Sequence, residues 1–336
     1  MNYRYFLSAI LSFSLGFSTL AQNKKSSTIA FYNCENLFDT KNDPEINDED
    51  FLPESKSQWT EDRYQAKLKN LAKVIDSLGG GPAVLGVCEV ENRQVLEDLV
   101  KTEPIAKKGY GIVHQNSPDK RGIDVAMIYQ TAIFTPSFTK MIRVSLPDDP
   151  EFITRDIMLV KGLLNKKPFY FFINHWPSRR GGEEKSEVKR IAAAKAARFS
   201  VDTILAANPK ANIVLMGDFN DEPIDTSMKS ILMASLDQSK IEHKLYNTMS
   251  VLKKAGEGSH YFGGGKHMLD QIVVTGALLS PKSKPHLKSE SSTIYHPIWM
   301  QEQNPKYKGS PFRTYAGQKY LGGYSDHFPV YTVLEF

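Results

Sequence analysis

The stretch ANIVLMGDFNDEP, residues 211–223, begins as the apolar run of a buried strand and ends abruptly in Gly-Asp-Phe-Asn-Asp. Consecutive apolar side chains are typical of a strand that is covered on both faces, and such strands need helices or a second sheet as cover. Asp218 and Asn220 place a carboxylate and an amide at the tip of this strand. The stretch therefore predicts a layered α/β fold with polar chemistry at one end of a sheet.

Segments rich in β-branched and aromatic residues predict eight short strands: TIAFYN, AVLGVCE, DVAMIYQ, DIMLVKGLL, PFYFFINH, NIVLMGD, DQIVVT and FPVYTVLEF. Helical periodicity predicts helices over about residues 59–78 and 184–207. Residues 280–313 are rich in Pro, Ser and Lys and predict a long surface loop. Because no repeat and no low-complexity linker divides the chain, we predict a single domain over residues 22–336.

Polar groups recur at the ends of the predicted strands. Four apolar runs end in such groups, which are Asn33 with Glu35, Glu89, His175, and Asp218 with Asn220. Two other runs are preceded by them, namely by Asp270 and by the pair Asp326 and His327. If all these groups meet at one edge, the first four strands run toward that edge and the last two run away from it. The pattern therefore predicts mixed sheets.

Carboxylate and amide oxygens without a Cys ligand indicate a site for a hard cation such as Mg²⁺, with Mn²⁺ or Ca²⁺ as alternatives. Mg²⁺ usually takes one or two protein carboxylates, and Glu89 and Asp326 would suffice. Two histidines beside carboxylates supply the acid and the base that phosphoester cleavage needs. Each motif alone has an ordinary explanation as a turn or a satisfied core residue, but five clusters at strand ends favour one common site.

The motifs FYNCENLF, GVCEVEN, RGIDVAMIY, INHWPSRRGG, VLMGDFNDEP, HMLDQIVV and GGYSDHFPV occur in the order found in the endonuclease/exonuclease/phosphatase superfamily. The chain resembles that superfamily over about residues 27–336. The resemblance implies an α/β fold, a four-layered sandwich in which two mixed β-sheets pack face to face with helices on the outside. It also implies Mg²⁺-dependent hydrolysis of phosphoester bonds.

The resemblance implies catalytic roles by position. Asp218 resembles the family residue that orients or deprotonates the attacking water, and Asn220 resembles the residue that binds the phosphate. His327 resembles the invariant catalytic histidine, with Asp270 as its orienting partner. His175 resembles the second histidine found in some branches and is expected to be the acid toward the leaving group.

The resemblance also implies the metal ligands. Glu89 and Asp326 resemble the metal-binding carboxylates, and Asn33 resembles the Asn that helps to hold metal or phosphate. Glu35 matches a position that approaches the metal in some members. Asp124 either orients the second histidine or makes only a local hydrogen bond at the start of a strand.

Loop residues beside these motifs are candidates for substrate binding. Flanking phosphates could be held by Arg155, Arg179, Arg180 and Lys266. Trp176 and Tyr261 could stack on bases. The alternative is that the arginines are solvated and that Trp176 packs under its own loop.

Three functions are consistent with the sequence. The first is a secreted nuclease acting on DNA or RNA. The second is a phosphatase or phosphodiesterase acting on small phosphoesters, inositol phosphates or phospholipid headgroups, for which YHPIWM is a weak candidate membrane-contacting segment. The third is a catalytically silent binding protein on the same scaffold, which the complete set of histidines and carboxylates argues against. The sequence indicates no protein partner.

The N-terminal residues 1–21 have the pattern of a signal peptide, with Arg4, an apolar segment and a small-residue cleavage site after Ala21. The apolar segment is shorter than the roughly 20 residues of a membrane-spanning helix, so a stable anchor is the less favoured alternative. Cleavage would leave 315 residues with a formal net charge of +3, because Arg4 is lost from a chain of +4. We therefore predict a secreted or periplasmic protein.

The chain has only two cysteines, Cys34 and Cys88, which cannot form a disulfide framework. Each lies in an apolar strand one position before a glutamate. Buried free thiols are the favoured prediction, and one disulfide between neighbouring strands is the alternative.

Overall fold

A computed structural model of the protein describes residues 26–239, 241 and 244–336, so the predicted signal peptide lies outside the described residues. The strands are β1 (Ser26–Leu37), β2 (Val84–Val90), β3 (Tyr110–His114), β4 (Asp124–Gln130), β5 (Phe134–Ile142), β6 (Ile157–Leu164), β7 (Lys167–His175), β8 (Ile213–Asp218), β9 (Ala234–Ser235), β10 (Leu245–Asn247), β11 (His260–Phe262), β12 (Gly265–His267), β13 (Asp270–Thr275), β14 (His286–Leu287), β15 (Thr293–Ile294), β16 (Tyr315–Ala316), β17 (Lys319–Tyr320) and β18 (Val330–Glu335). The α-helices are α1 (Glu61–Ser77), α2 (Arg93–Val100), α3 (Glu183–Ala207) and α4 (Ser250–Lys254). All eight predicted strands and both predicted helices are present.

The strands form two mixed sheets. The first sheet has the order β14-β18-β1-β2-β4-β3, with β15 also paired to β18, and the second has the order β5-β6-β7-β8-β13-β10-β9. Strands β1 and β2 are parallel, as are β7 and β8, whereas β18 is antiparallel to β1 and β13 is antiparallel to β8. The predicted strand directions are therefore confirmed.

Consecutive buried residues in the strands of the second sheet belong alternately to two hydrophobic clusters, which define the two faces of the sheet. Phe171 and Met216 belong to the core shared with the first sheet, while their neighbours Phe172 and Leu215 pack with Ala197 of α3. Successive side chains on a strand point to opposite faces, so one face meets the first sheet and the other meets α3. Helix α1 packs on the first sheet in the same way through Leu68, Leu71 and Ile75. The predicted four-layered sandwich is confirmed.

The two sheets approach closely near the site described below. Gly86 of β2 has so little space that a Cβ atom there would lie 3.0 Å from Met216 Sδ and 3.1 Å from Ile173 Cδ1. These distances are shorter than ordinary van der Waals contacts. Glycine at this position lets the first sheet pack directly on β7 and β8.

The prediction of a long surface loop over residues 280–313 is wrong in part. Strands β14 and β15 lie within it and pair with β18 at the edge of the first sheet, and Met300 is buried. Strands of two residues are too short to show alternation, and their pairing depends on a distant strand. Helix α2 was also not predicted, although Asn92 caps it by accepting a hydrogen bond from the Val95 backbone N–H at 3.0 Å.

Cys34 and Cys88 are buried free thiols, which confirms the favoured prediction. Burial raises the pKa of the Cys34 thiol to about 12. None of the described helices has the length and apolar character that crossing a membrane would require.

Candidate active site

Strand pairing brings the predicted polar groups together at one edge of the sandwich. In the second sheet His175 at the end of β7 pairs with Asp218 at the end of β8, and Asp218 pairs with Asp270 at the start of β13. In the first sheet Asn33 of β1 pairs with Cys88, the neighbour of Glu89. Distant segments therefore meet because parallel strands end, and antiparallel strands begin, at the same edge.

Asn33 links the two sheets. Its Nδ2 donates hydrogen bonds to Glu89 Oε1 at 3.3 Å and to Asp218 Oδ2 at 3.2 Å, while its Oδ1 accepts from the Glu35 backbone N–H at 2.9 Å. Asn33 is fully buried, so these hydrogen bonds satisfy groups that water does not reach. One amide thus fixes the separation of a carboxylate on each sheet.

The backbone is strained where the strands end. Glu35, Glu89 and Asn220 have positive φ angles of 47°, 57° and 52°. The pairing register also shifts between Asn33 and Leu37 and between Cys88 and Val90. Left-handed residues other than glycine cost of order 1 kcal/mol or more and cluster at functional sites. The bulges and left-handed residues end the regular pairing here and redirect these side chains.

His327 is held by a carboxylate. Its Nδ1 lies 2.6 Å from Asp270 Oδ2, and the Ser259 hydroxyl donates to the same oxygen. Burial opposes a charge on His327, but the carboxyl groups of Asp270 and Asp218 outweigh it and raise the pKa of His327 well above its usual value. His327 Nε2 lies 3.9 Å from Asp218 Oδ2. The two carboxyl groups therefore favour the protonated form of His327, whose Nε2 faces Asp218.

His175 lies in a different electrostatic environment. Its Nε2 is 3.8 Å from both Glu89 Oε1 and Asp218 Oδ2, and its Nδ1 has no hydrogen-bond partner within the described chain. Burial lowers the pKa of His175 well below its usual value, and the guanidinium groups of Arg155 and Arg121 add to this shift. The pKa values of the two histidines are thus shifted in opposite directions, which suits separate roles.

The structure corrects the predicted partner of His175. Asp124 accepts hydrogen bonds from the Ser117 backbone N–H at 2.7 Å, and its other oxygen lies 2.8 Å from His114 Nε2. Asp124 therefore ties strand β3 to the start of β4 and makes the local hydrogen bond that was the alternative prediction. The sequence could not show this, because the partner His114 is fixed only by the pairing of two strands.

Asp218 lies between the two histidines. Its Oδ1 accepts a hydrogen bond from the Asn220 backbone N–H at 3.0 Å, and burial raises the pKa of its carboxyl group to about 6. Asn220 is also held, because its Nδ2 donates to the Trp176 backbone oxygen at 3.0 Å. Asp218 is thus the central carboxylate of the site.

The residues predicted to hold a cation fit that role. Burial and the neighbouring Asp326 carboxylate raise the pKa of Glu89 to about 7. Asp326 Oδ1 is buried and accepts no hydrogen bond from the part of the chain that the structure describes. Burial raises the pKa of Asp326, but His327, His260 and Arg313 outweigh it and keep it below its usual value. Two half-buried carboxylates that interact electrostatically, one of them with an unpaired buried oxygen, are a donor set that Mg²⁺ or Mn²⁺ would neutralise.

Glu35 approaches the site without offering a free oxygen. It accepts hydrogen bonds from the backbone N–H groups of Thr314 at 2.6 Å and Tyr315 at 3.3 Å, and it lies 3.8 Å from Lys67 Nζ. These contacts place Glu35 beneath the segment that leads to Asp326. Its observed contacts support that segment.

Two residues at the site were not predicted from the sequence. The His260 ring lies 4.6 Å from the His327 ring, at an angle of 36°. Arg313 lies near Asp326 and His260, where its charge affects the pKa of both. His260 is in the stretch GSHYFGGGKH, which has the composition of a glycine-rich turn. This turn has a histidine near each of its two ends, and that pattern is the signal that could have identified His260.

Trp176 does not stack on a substrate. It is 1% exposed, its ring meets Phe219 edge to face at 4.8 Å, and its indole N–H donates to Asn174 Oδ1 at 3.0 Å. Arg155 is likewise buried, because its guanidinium donates to Asp119 Oδ2 at 2.9 Å and to the Trp176 backbone oxygen at 2.7 Å. The predictions of base stacking by Trp176 and of phosphate binding by Arg155 are therefore wrong, and both residues support the loop after β7.

The remaining predicted contacts are also engaged within the protein. Arg179 donates to the Asn220 backbone oxygen and to Asp225, both at 2.8 Å, so the prediction that it is free to bind phosphate is wrong. Tyr261 is half-buried with its ring edge-on to Phe328 at 6.0 Å. Lys266 lies 3.0 Å from Glu257. Stacking by Tyr261 stays a prediction.

The sequence profile of the Endonuclease/Exonuclease/phosphatase family matches residues 28–336. No curated protein shows significant sequence similarity to the chain. Similar solved structures include humanized D. rerio TDP2, with a TM-score of 0.58 and 13% identity over 93% of this chain and 99% of that one. D. rerio TDP2 complexed with single strand DNA product has a TM-score of 0.55 and 11% identity, over 93% of this chain and 99% of that one. A Bacteroides thetaiotaomicron mannosyl-6-phosphatase has a TM-score of 0.56 and 17% identity, over 92% of this chain and 100% of that one. At these identities the similarity shows a shared fold.

Proposed function

Because the chain belongs to the Endonuclease/Exonuclease/phosphatase family, whose members are metal-dependent hydrolases of phosphoester bonds, we propose that it is a nuclease that uses a divalent cation to cleave phosphodiester bonds. The observation that carries this proposal is the meeting of His175, Asp218 and His327 around one point at the sheet edge, with Glu89 beside them. These are the groups that hydrolysis of a phosphoester needs.

The side chains divide the reaction between them. Asp218 orients the attacking water and accepts its proton while the water oxygen forms a bond to phosphorus. Of the two histidines only His327 has a carboxylate behind it, so His327 gives a proton to the leaving oxygen as its bond to phosphorus breaks. This differs from the expectation that His175 is the acid. His175, without such a partner, is assigned a hydrogen bond to a phosphoryl oxygen.

A divalent cation held by Glu89 and Asp326 would offset negative charge on the phosphoryl oxygens. The chain's own contribution is to hold the Glu89 carboxylate in place by hydrogen bonds. Asn33 restrains Glu89 from one side, and the Asn36 backbone N–H donates to Glu89 Oε2 at 3.0 Å. The site is therefore preorganised by hydrogen bonds to the protein itself.

Guanidinium groups near two different residues of the site favour a nucleic acid as the substrate. Arg121 affects the pKa of His175, and Arg313 affects that of Asp326, so guanidinium groups lie near opposite members of the site. Arg121 pairs with Asp119 at 3.3 Å but its side chain is 48% exposed, and Arg313 forms no ion pair within the described residues. A polymer with phosphates on both sides of the cleaved bond fits this arrangement, because guanidinium groups bind phosphates in pairs of hydrogen bonds.

A second candidate function is hydrolysis of small phosphoesters. It is favoured by the internal contacts of Arg155, Trp176 and Arg179, which remove three of the predicted contacts to an extended substrate. A phospholipid substrate is less favoured. Ile298 of YHPIWM is 76% exposed, but the segment is a single helical turn in which Trp299 packs on Tyr324 at 5.0 Å.

The test is a panel of substrates with the metal-free protein, Mg²⁺ or Mn²⁺. Plasmid DNA, RNA, a phospholipid, inositol phosphates and a generic phosphodiester are each incubated with wild type, His175→Ala, His327→Ala and the exposed control His296→Ala. We expect cleavage of DNA or RNA that a chelator abolishes, with losses of about 10²- to 10⁴-fold in the two site variants only. Activity confined to small phosphoesters would select the second candidate, and undiminished activity after chelation would contradict the mechanism.

We also propose that the protein is exported, on the basis of residues 1–21 alone. Expression in a bacterial host followed by fractionation tests this. The expected product begins at Gln22 and is found in the periplasm or the medium. A full-length chain retained in the cytoplasm would contradict export without affecting the proposed activity.

A further inference from the structure

His260 extends the site with a nitrogen ligand. His260, Asp326 and His327 each offer one ligand atom, and these three atoms all lie within 4.8 Å of one another. That separation is about twice a bond between a metal and an imidazole nitrogen or a carboxylate oxygen. A single ion placed among the three atoms could therefore contact more than one of them.

Two of these residues carry polar atoms that nothing in the described chain satisfies. Asp326 Oδ1 and His260 Nδ1 are both buried and have no hydrogen-bond partner among the described residues. Unpaired buried polar atoms are costly, and native proteins keep few of them. Unsatisfied atoms on two residues of the same cluster point to a ligand that would satisfy them when it binds.

The protein holds the His260 ring firmly in this position. His260 pairs with His267 in the β11–β12 hairpin, and its backbone also forms an antiparallel bridge with His327. The neighbouring Ser259 donates its hydroxyl hydrogen to Asp270, and its backbone oxygen accepts a hydrogen bond from Phe328 N–H at 2.8 Å. These contacts fix the backbone of His260 beside His327 and the ring lies 4.6 Å from the His327 ring, so the side chain starts at the edge of the site.

We propose that His260 is a metal ligand which, with Asp326, makes this site prefer a first-row transition-metal ion, Mn²⁺, Co²⁺ or Zn²⁺, over Mg²⁺. Imidazole nitrogen suits transition metals, whereas Mg²⁺ binds oxygen almost exclusively. His327 is less available as a ligand, because its Nδ1 is bonded to Asp270 and it serves as the proton donor. The inference rests on the proposed function in so far as Asp326 is a ligand of the catalytic cation.

The experiment measures metal binding directly. The full mature chain is freed of metal by a chelator, and Mg²⁺, Mn²⁺ and Co²⁺ are titrated separately by calorimetry, with the visible absorption of Co²⁺ as a second readout. His260→Phe keeps a ring of similar size without nitrogen, and His260→Asn offers an oxygen instead. His267→Phe, the cross-strand neighbour outside the cluster, is the matched control. Circular dichroism is used to check that each variant is folded.

We expect wild type and His267→Phe to bind Mn²⁺ and Co²⁺ at least tenfold more tightly than Mg²⁺. His260→Phe should lose 10- to 100-fold in affinity for Mn²⁺ and Co²⁺ and less than about threefold for Mg²⁺, with a changed Co²⁺ spectrum. His260→Asn, a smaller change, should shift preference toward Mg²⁺ and provides the test if His260→Phe does not fold.

Equal affinities and an identical Co²⁺ spectrum in wild type and the His260 variants would overturn the inference. The proposed function would survive that result if all variants hydrolysed phosphodiesters with Mg²⁺. In contrast, a wild-type protein that binds no divalent ion and hydrolyses no phosphoester would contradict the proposed function itself, so the two failures are distinguishable.

Discussion

Asp270 shows how one side chain can decide the chemistry of another. Its Oδ2 is shared by His327 and the Ser259 hydroxyl, and it is completely buried. An oxygen that accepts two hydrogen bonds fixes which nitrogen of His327 carries the proton. The role of Asp270 as the partner of His327 followed from the family resemblance of HMLDQIVV, and the observed contact agrees with it.

Asp270→Asn should therefore strongly reduce kcat while the protein stays folded. The amide can present a donor to His327 Nδ1 and no longer stabilises the imidazolium, so we expect a loss of about 10²- to 10⁴-fold in kcat. The limb of the pH–rate profile that reports His327 should also move to lower pH, since its raised pKa depends on this carboxylate. Steady-state rates from pH 5 to 9 measure both effects. Asp148→Asn, an exposed control, should leave both unchanged, whereas an unaltered profile in Asp270→Asn would exclude the orienting role.

Glu89 makes a prediction about stability and pH in the metal-free protein. Its pKa is raised from 4.5 to about 7, so between these values the folded state holds a proton that the unfolded state has released. The free energy of unfolding should therefore fall as pH rises through this window, by on the order of 3 kcal/mol. Glu89→Gln lacks this titration and should be the more stable protein at pH 7.5 but not at pH 4.5.

Urea unfolding in a chelator at several pH values measures the difference between wild type and Glu89→Gln. Other groups titrate in the same range, and the difference between the two proteins removes their shared contribution. Glu49→Gln, at an exposed position, should follow the wild-type curve at every pH. Parallel curves for wild type and Glu89→Gln would show that burial and Asp326 do not raise the pKa of Glu89.

At the scale of elements, helix α1 does more than cover a sheet. Lys67 Nζ donates hydrogen bonds to Thr314 Oγ1 at 2.6 Å and to the Tyr324 backbone oxygen at 2.8 Å, so α1 holds the segment that leads to Asp326. The apolar period of α1 was predicted from Leu68, Leu71 and neighbouring residues. The inward-facing Lys67 was not, because a lysine breaks the apolar period and its partner lies 247 residues away.

Lys67→Met should destabilise the protein and reduce its activity together. The substitution leaves the Glu35 carboxylate buried without its cation, and breaking such a pair costs about 3 kcal/mol or more. The control is Lys69→Met on the exposed side of the same helix, where we expect a change within about 0.5 kcal/mol. Urea unfolding and kcat are measured for both variants. Equal stability of the two variants would mean that Lys67 does not support the segment.

At the scale of the whole molecule, the directions of the strands followed from a single premise, that polar residues at strand tips share one edge. From that premise the sequence predicts mixed sheets and most of the residues that meet at the site. It could not reveal Arg155 as an interior residue or decide whether Trp176 packs under its own loop, because loop sequences that bind phosphate and those that pack inward have the same composition. Nor could it identify His260, whose proximity to Asp326 arises only when the β11–β12 hairpin meets the irregular segment before β18.

The first sheet combines β1 to β4 with β14, β15 and β18, so its strands come from both ends of the chain. The second sheet lies between them in sequence and shares one hydrophobic core with the first. Neither half of the chain contains a complete sheet system, so the protein should unfold in one cooperative transition with equal calorimetric and van't Hoff enthalpies. A fragment ending near residue 150 should show no cooperative unfolding, since β1 would lack β18 and the inner face of its sheet would be exposed. Scanning calorimetry of the metal-free chain and of that fragment tests this, and two separate transitions, or a folded fragment, would mean that the sandwich is two independent domains.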